Sequence, residues 1–183
     1  MKGVVFNLLE EVVVEEYGED LWDQLLTDAT LQGAYTSLGS YPDSNMQALV
    51  FVAAKHLHLT PFEVLRWFGR NAMPFLFKRY PSFFAAQEST RPFLLSVNSI
   101  IHPEVRKIYP GAQVPTFDFQ DDVSGGLLMG YHSPRRLCAL AQGFTEGAAA
   151  HYGERITFEH LECMHHNDKQ CLCRIRFLSK GAL

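Results

Sequence analysis

The spacing of apolar residues along this 183-residue chain changes near Thr116. Before that point, apolar side chains recur every three or four positions, which is the period of an amphipathic helix. From Thr116 onward, Thr, Phe and Tyr become frequent in short segments of strand-like content. The change predicts an α+β protein with a helical N-terminal subdomain and a C-terminal four-stranded antiparallel sheet into which one helix is inserted.

The predicted elements follow from these patterns and from turn signals. The predicted helices cover residues 4–18, 21–26, 44–58, 60–80, 81–88 and 90–109, and one later helix covers 133–153. The predicted strands are residues 116–121, 126–133, 155–163 and 171–179. Thr60, with Glu63 three positions later, matches a capping box. Ser44 and Ser133 are expected to cap two other helices.

Charge and hydropathy argue against several classes of partner. The chain has 16 Lys and Arg against 20 Asp and Glu, and its net charge of −4 includes no basic block. Nucleic acid and anionic membranes attract such blocks, so neither is an expected partner. No run reaches about 18 uncharged apolar residues, so we expect no membrane span and a cytoplasmic location.

His102 is an unusual residue for its position in a predicted helix. It follows two isoleucines and precedes Pro103, which removes a backbone N–H and restricts His102 toward extended backbone. We therefore expect the helix to kink or restart there. The imidazole is either a core-edge side chain satisfied by one hydrogen bond or a metal ligand. A single histidine is sufficient for haem iron, since the macrocycle supplies four other nitrogens.

A haem would also need partners for its two propionates, and the segment "YHSPRR" offers them. Tyr131, Ser133 and Arg135 alternate across a predicted strand-to-helix turn and present two hydroxyls and a guanidinium. Arginine is a bidentate partner for carboxylates, and helix N-termini favour anions. The alternative is that Ser133 is an ordinary N-cap and Arg135 a surface residue. Aromatic residues make up 13% of the chain, which suits either a bulky core or the wall of a pocket for a flat ligand.

These residues resemble those of the H-NOX (haem nitric oxide/oxygen binding) family. The matching features are the Met-Lys-Gly opening, the histidine in "HPEVRKIYPGAQVPTF" and the Tyr-x-Ser-x-Arg signature. The resemblance covers essentially the whole chain. It implies a single domain over residues 1–183, with a distal helical part (1–60), a haem-pocket and proximal part with the sheet (61–183), and haem b between them.

The resemblance also implies roles for individual residues. His102 would be the axial ligand of the iron, Tyr131, Ser133 and Arg135 would bind the propionates, and Pro115 would press on the haem and distort it. Oxygen-holding members have a distal tyrosine where this chain has Leu140, and the hydroxyl of that tyrosine donates to the bound gas. Val5, Phe75 and Leu140 would form an apolar distal wall. The polar side chain that would alter this wall is Asn71, for which we expect an exposed or capping role, and Trp67 is expected in the core.

The function implied is that of a sensor that binds nitric oxide, and also carbon monoxide, at ferrous iron and excludes oxygen. Loss of the bond between iron and His102 would regulate a separate signalling enzyme, such as a histidine kinase or a cyclic-dinucleotide cyclase or phosphodiesterase. Pro103 would be a local weak point in that response. No catalysis by the chain itself is expected. The alternatives are an oxygen-binding haem protein, a haem enzyme and a zinc or thiol redox-sensing module.

All four cysteines lie in the last third of the chain. Tetrahedral zinc requires four nitrogen or sulfur ligands, and Cys171 and Cys173 share one face of a predicted strand, so either could take part. The family resemblance selects one set for a structural zinc: Cys138, His160, Cys163 and Cys171. The alternatives are buried reduced cysteines and a redox switch.

Overall fold

Seven α-helices precede the first strand in residues 1–178, the part of the chain that the computed structural model describes. They are α1 (Gly3–Tyr17), α2 (Glu19–Asp28), α3 (Asp43–His56), α4 (Pro61–Arg79), α5 (Pro81–Ala85), α6 (Thr90–Ser96) and α7 (His102–Ile108). A π-helical turn, Val97–Ile101, joins α6 to α7. An isolated bridge between Lys2 and Ser40 ties the start of α1 to the loop before α3.

The second half of the chain forms one antiparallel sheet with a helix inserted between its hairpins. Its strands are β1 (Thr116–Asp121), β2 (Leu127–His132), β3 (Arg155–Glu162) and β4 (Cys171–Leu178), in the spatial order β1-β2-β4-β3. Helix α8 (Cys138–His151) lies between β2 and β3 in the chain. The predicted α+β class is confirmed. Residue 179, the last of the predicted final strand, lies outside the described residues.

Helices α4 and α8 pack with their backbones in direct contact. A Cβ atom at Gly143 would lie 2.1 Å from the carbonyl oxygen of Arg66, and one at Gly69 would lie 2.5 Å from that of Leu140. Such distances are shorter than van der Waals contact, so only glycine fits at these two positions. Helix α4 packs with α1 and α3 on one side and contributes Met73 to the core under the sheet on the other. It therefore joins the two halves of the molecule.

The capping predictions had different outcomes. Thr60 caps α4 as predicted, because its hydroxyl accepts from the Glu63 N–H while the Glu63 carboxylate accepts from the Thr60 N–H. The predicted cap at Ser44 is wrong, since α3 begins one residue earlier, at Asp43, with Pro42 as its N-cap. The predicted helix start at Ser133 is also wrong.

The late start of α8 has a local cause. A turn over residues 133–136 is closed by a hydrogen bond from the Arg136 N–H to the Ser133 carbonyl, 3.2 Å long. Arg136 adopts φ +54°, which an α-helix does not allow. The Tyr131 hydroxyl then accepts from the Leu137 N–H at 3.0 Å, and the helix begins at Cys138.

The helix is interrupted next to His102, as predicted, but the backbone of His102 is not extended. Its φ of −63° and ψ of −40° are helical, so that part of the expectation is wrong. The wider π-turn immediately before His102 gives the physical reason. In an ordinary α-turn the carbonyl of residue 99 would clash with the ring of Pro103. The wider π-turn moves that carbonyl away from the ring.

Helices α3 and α4 are the apolar pair of the N-terminal half. Within residues 1–178, no single helix is long and apolar enough to cross a membrane. Only the two helices taken together are long and apolar enough, and they are bent by 102° at the break between them.

Candidate functional site

A cavity of about 600 Å³ lies between the N-terminal helices and the sheet. Its volume is in the range of about 300–1,000 Å³ that is typical of sites for small molecules and cofactors. Its wall comes from α1, the start of α3, α4, α5, α6, the π-turn, α7, β1, β2, α8 and the loops that precede α3 and β1. Most of the lining is apolar and includes Val5, Leu8, Met73, Leu76, Phe93, Leu94, Val97, Phe117, Leu137, Leu140 and Phe144.

His102 lies on the wall of this cavity, at the first position of α7. Burial, together with the positive charge of Arg106, lowers the pKa of its imidazole to about 4, so the ring is neutral near pH 7. Neither ring nitrogen has a hydrogen-bond partner within residues 1–178, which distinguishes His102 from a core histidine satisfied by one bond. A neutral imidazole with a free lone pair at a cavity wall fits the donor that haem iron requires.

Tyr131, Ser133 and Arg135 meet at one side of the same cavity. Tyr131 ends inward on the buried face of β2, and burial raises the pKa of its phenol. The Ser133 hydroxyl accepts from the Arg135 N–H at 3.2 Å. The Arg135 guanidinium donates to the carbonyl of Gln113 at 2.8 Å, which orients it beside the cavity. Two hydroxyls and a guanidinium on one side suit a carboxylate-bearing ligand.

The N-terminal ammonium group also reaches this side of the cavity, which the sequence did not indicate. It donates to the Asp43 carboxylate at 2.8 Å and to the Tyr41 carbonyl at 2.6 Å. The second oxygen of Asp43 accepts from Nε of Arg135 at 2.9 Å. Partial burial alone would raise the pKa of Asp43, but these two cationic donors lower it below its ordinary value. Two cations and one anion leave this side with a net positive charge.

Comparison with known proteins agrees with this arrangement. A protein-family model described as Haem-NO-binding matches residues 2–160, which is most of the chain. The chain belongs to the H-NOX family. Its fold is therefore that of a haem-based, gas-binding sensor domain.

Several solved H-NOX structures are similar to this chain. The crystal structure of an H-NOX protein from S. oneidensis in the Fe(II)NO ligation state matches with a TM-score of 0.91 and 30% identity, covering 98% of this chain and 100% of that one. An NMR structure of an H-NOX domain from Shewanella oneidensis in the Fe(II)CO state has a TM-score of 0.88, 30% identity and the same coverage. The Fe(II) unliganded H-NOX protein from K. algicida matches with a TM-score of 0.85 and 25% identity, covering 100% of both chains.

Two of the three residues expected in the distal wall of this H-NOX domain lie at the cavity. Val5 and Leu140 line it, but Phe75 does not, so the expectation for Phe75 is corrected. Helix α4 presents Met73 and Leu76 to the cavity, and Phe75, about 100° from Leu76 around the helix, packs against the apolar cluster that also contains Leu140. The sequence could not separate these positions because apolar residues occupy both faces of α4.

The polar residue that would have changed the distal wall does not reach it. The Asn71 amide donates to the carbonyl of Trp67 at 2.9 Å, four residues earlier on α4. Neither residue is part of the cavity wall. Thr145, a polar residue of α8 that does line the cavity, donates its hydroxyl to the Ala141 carbonyl at 2.9 Å. Its donor is therefore already used within the helix.

Pro115 closes the loop that leads from α7 to β1 and lines the cavity. Its fixed backbone and rigid ring bring an unyielding apolar group to the wall on the same loop as Gln113, which orients Arg135. The H-NOX cavity thus contains every predicted haem-site residue except Phe75.

The cysteine cluster lies behind the cavity, between α8 and the sheet. Cys138, Cys163 and Cys171 are all buried, with their Sγ atoms within 4.8 Å of one another. Burial, followed by the charge of the neighbouring Cys171, raises the pKa of the Cys138 thiol, so this thiol is protonated near pH 7. Three sulfur atoms at this spacing provide most of a tetrahedral metal site.

The fourth predicted ligand, His160, does not join this group. Its Nε2 forms a 2.9 Å hydrogen bond with the side-chain oxygen of Gln142, and its Nδ1 lies 3.5 Å from Sγ of Cys173. The cause is the register of β3 and β4, which pairs His160 directly with Cys173 rather than with Cys171. Three of the four predicted ligands therefore lie together, and His160 forms an adjacent pair with Cys173.

Proposed function

We propose that this H-NOX domain senses nitric oxide, and also binds carbon monoxide, at ferrous haem, excludes oxygen, and regulates a separate signalling enzyme through loss of the iron–His102 bond. Haem b, when bound, supplies the iron at which the gas binds. The observation that carries the proposal is the neutral, unpartnered imidazole of His102 on the wall of a cavity of cofactor size. Further support comes from the chemical groups that the other residues of the cavity wall present.

The residues that would hold the haem are divided between two sides of the cavity. His102 would bind the iron, and Tyr131, Ser133 and Arg135 would bind the propionates through two hydroxyls and a guanidinium. The net positive charge left by Met1, Asp43 and Arg135 favours carboxylates there. Pro115 would press against the haem from the loop before β1.

The selection of nitric oxide over oxygen is proposed from the lack of a donor at Leu140. Bound oxygen is strongly polarised, so a hydrogen bond to it contributes about 1.5–3 kcal/mol, whereas a neutral acceptor gains about 1 kcal/mol. Leu140 offers no such bond, Asn71 donates within α4, and Thr145 donates within α8. Oxygen would therefore lose more binding free energy than nitric oxide.

The response would start in the segment that carries His102. The π-turn interrupts the helix directly before His102, and Val97, Ile101 and Val105 of the turn and of α7 line the cavity beside it. A change at the iron would therefore act directly on the residues that carry His102. We propose that the segment moves when the bond to His102 is lost. That Pro103 weakens the helix locally and so eases this movement stays a prediction.

The output would be exerted on a separate enzyme, such as a histidine kinase or a cyclic-dinucleotide cyclase or phosphodiesterase. The residues that line the cavity are assigned to holding the haem, and we assign no catalytic role to them. A change in the activity of the partner enzyme that depends on nitric oxide is the direct test of this step.

Replacement of His102 tests the assignment of the iron ligand. We expect the His102→Ala variant to retain haem through the propionate residues, to lose the absorption spectrum of histidine-bound ferrous haem, and to regain it when imidazole is added. The His56→Ala variant, altered at a histidine that pairs with Asp28 away from the cavity, is the control. An unchanged spectrum in His102→Ala would assign the ligand to another residue.

We also propose a structural zinc ion in the cysteine cluster. Cys138, Cys163 and Cys171 would provide three ligands, and His160 would provide the fourth after rotating away from Gln142. Elemental analysis should find about one zinc per chain, lost in Cys163→Ser and retained in Cys173→Ser. Metal-free native protein would favour the thiol redox alternative, and loss in Cys173→Ser would make Cys173 the fourth ligand.

A further inference from the structure

The side chain of Asn98 pairs with the backbone of one residue of the sheet. Its Nδ2 donates to the carbonyl of Phe117 at 2.5 Å, and its Oδ1 accepts from the Phe117 N–H at 3.3 Å. Asn98 belongs to the π-turn, four residues before His102, and Phe117 belongs to β1. One amide thus uses a donor and an acceptor to attach the π-turn to the strand.

The position of β1 in the sheet explains why this attachment is possible. β1 is an edge strand, paired with β2 alone, so alternate N–H and C=O groups point away from the sheet. Phe117 is a residue whose backbone groups point outward in this way. The Asn98 amide takes the place of a neighbouring strand at this one residue.

A second attachment lies at the other end of the segment. Tyr109 is the C-cap of α7, Tyr80 is the C-cap of α4, and their hydroxyl oxygens are 2.5 Å apart. Tyr109 is only 8% exposed, so this bond is shielded from water. Burial, followed by the hydrogen bond to Tyr109, raises the pKa of Tyr80, which keeps the Tyr80 phenol neutral.

Between these two attachments the segment is held by packing of side chains such as Ile101 and His102. Within the described chain, Asn98 and Tyr109 make the only side-chain hydrogen bonds that link residues 97–109 to the rest of the protein, since the Lys107–Glu104 ion pair is internal. The π-turn and Pro103 both lie in this interval. His102 therefore lies on a span fixed near its two ends.

We propose that Asn98 and Tyr109 are positioning residues for His102. By fixing the segment at both ends, they hold the imidazole at the cavity wall and confine any movement after loss of the iron–His102 bond to the residues between them. The inference rests on the proposed function, because it assigns His102 to the iron. Beyond that function, we infer that the side chains of Asn98 and Tyr109 determine how readily His102 moves away from the iron.

Two substitutions remove the attachments while keeping side-chain size. Asn98→Leu removes both hydrogen bonds to Phe117, and Tyr109→Phe removes only the hydroxyl. The matched controls are Ser99→Ala, an exposed neighbour in the same π-turn, and Tyr17→Phe, an exposed phenol on α1. All are compared as haem-loaded ferrous proteins, with haem content measured first.

The first readout is hydrogen–deuterium exchange of the backbone amides of residues 99–108. Each lost hydrogen bond contributes about 1 kcal/mol, and 1.4 kcal/mol corresponds to a factor of ten. We expect exchange about tenfold faster in Asn98→Leu and severalfold faster in Tyr109→Phe, with α1 and α8 unchanged. Acceleration across all elements would indicate a structural role only and would overturn the proposal.

The second readout is the rate at which the iron–His102 bond is lost after nitric oxide is added to the ferrous protein, measured by stopped-flow absorption spectroscopy. We expect this rate to rise severalfold relative to the controls in both variants. If Asn98→Leu does not fold, Asn98→Asp places a carboxylate oxygen against the Phe117 carbonyl and should act in the same direction. Absence of iron-bound His102 in the unliganded ferrous wild type would contradict the proposed function, while the exchange comparison would still test the attachments. Exchange and bond-loss rates equal to those of the controls would overturn the positioning role alone.

Discussion

The imidazole of His102 stacks on the ring of Phe117, with 5.9 Å between the ring centroids and 27° between the ring planes. Phe117 also contacts Tyr131 edge-on, with 5.7 Å between centroids and an angle of 61°. One aromatic side chain on β1 therefore touches both the proposed iron ligand and a proposed propionate partner. Because the edge of an aromatic ring is positive and its face negative, such pairs have preferred orientations.

This contact predicts that Phe117 orients the His102 ring. The Phe117→Leu variant should retain its haem but show a shifted and broadened iron–histidine stretching band in the resonance Raman spectrum of the ferrous protein. Aromatic pairs of this kind contribute about 0.5–1.5 kcal/mol beyond area burial. Phe119→Leu is the control, since Phe119 stacks on Phe117 and does not contact His102 in this way. An identical band in Phe117→Leu would mean that the stack has no effect on the ligand.

The apolar residue at position 140 should determine the response to oxygen. Leu140→Tyr places a phenol donor at the cavity, and a hydrogen bond to polarised oxygen contributes about 1.5–3 kcal/mol. Oxygen affinity should therefore rise roughly 10- to 100-fold, measured by spectroscopic titration. Leu140→Phe introduces a ring of nearly the same size as Leu140→Tyr does, but without the hydroxyl, so its oxygen affinity should not rise in this way. Equal oxygen affinities in the two variants would contradict the account of selectivity.

The link from Met1 through Asp43 to Arg135 predicts a pH-dependent contribution to stability. The pKa of Asp43 is lowered in the folded protein, so the carboxylate stabilises the fold above its unfolded pKa of about 3.9 and loses that effect as pH falls through the folded pKa. Partly exposed ion pairs contribute about 0.2–1 kcal/mol each. Asp43→Asn should lower the urea midpoint at pH 7, and the difference from wild type should shrink below pH 4. A difference independent of pH would refute the ionic link.

The contact between α4 and α8 predicts that Gly143 tolerates no side chain. A methyl group there would lie 2.1 Å from the Arg66 carbonyl oxygen, so Gly143→Ala must force the helices apart. Overpacking of this kind costs about 1–3 kcal/mol, and each kcal/mol lowers the melting temperature of a chain of this size by about 2–4 °C. Ala150→Ser, on the exposed face of α8, is the control. A melting temperature equal to wild type would show that the contact relaxes without cost.

The features that could be predicted from the sequence are those that depend on local spacing. The change in hydrophobic period near Thr116 predicts the α+β class, and Thr60 with Glu63 predicts the start of α4. The alternation of Tyr131, Ser133 and Arg135 places three groups on one side of a turn whichever helix start is chosen. For that reason the wrong cap at Ser133 does not disturb the predicted cluster.

The features that could not be predicted depend on contacts between distant parts of the chain. Asp43 is 92 residues from Arg135, and Asn98 is 19 residues from Phe117, so no local pattern joins either pair. Which of two adjacent apolar residues on α4 faces the cavity depends on the packing of α4 against α1 and α8. The pairing of His160 with Cys173 depends on strand register, which turns and packing determine together.

The absorption spectrum of the ferrous protein, recorded first in air and then with nitric oxide, tests the central claim most directly. The account predicts no stable oxygen complex, and a nitric oxide complex with the spectrum of haem that has lost its histidine. A stable oxygen complex would contradict the role given to Leu140. A nitric oxide complex that keeps the histidine bond would contradict signalling through His102.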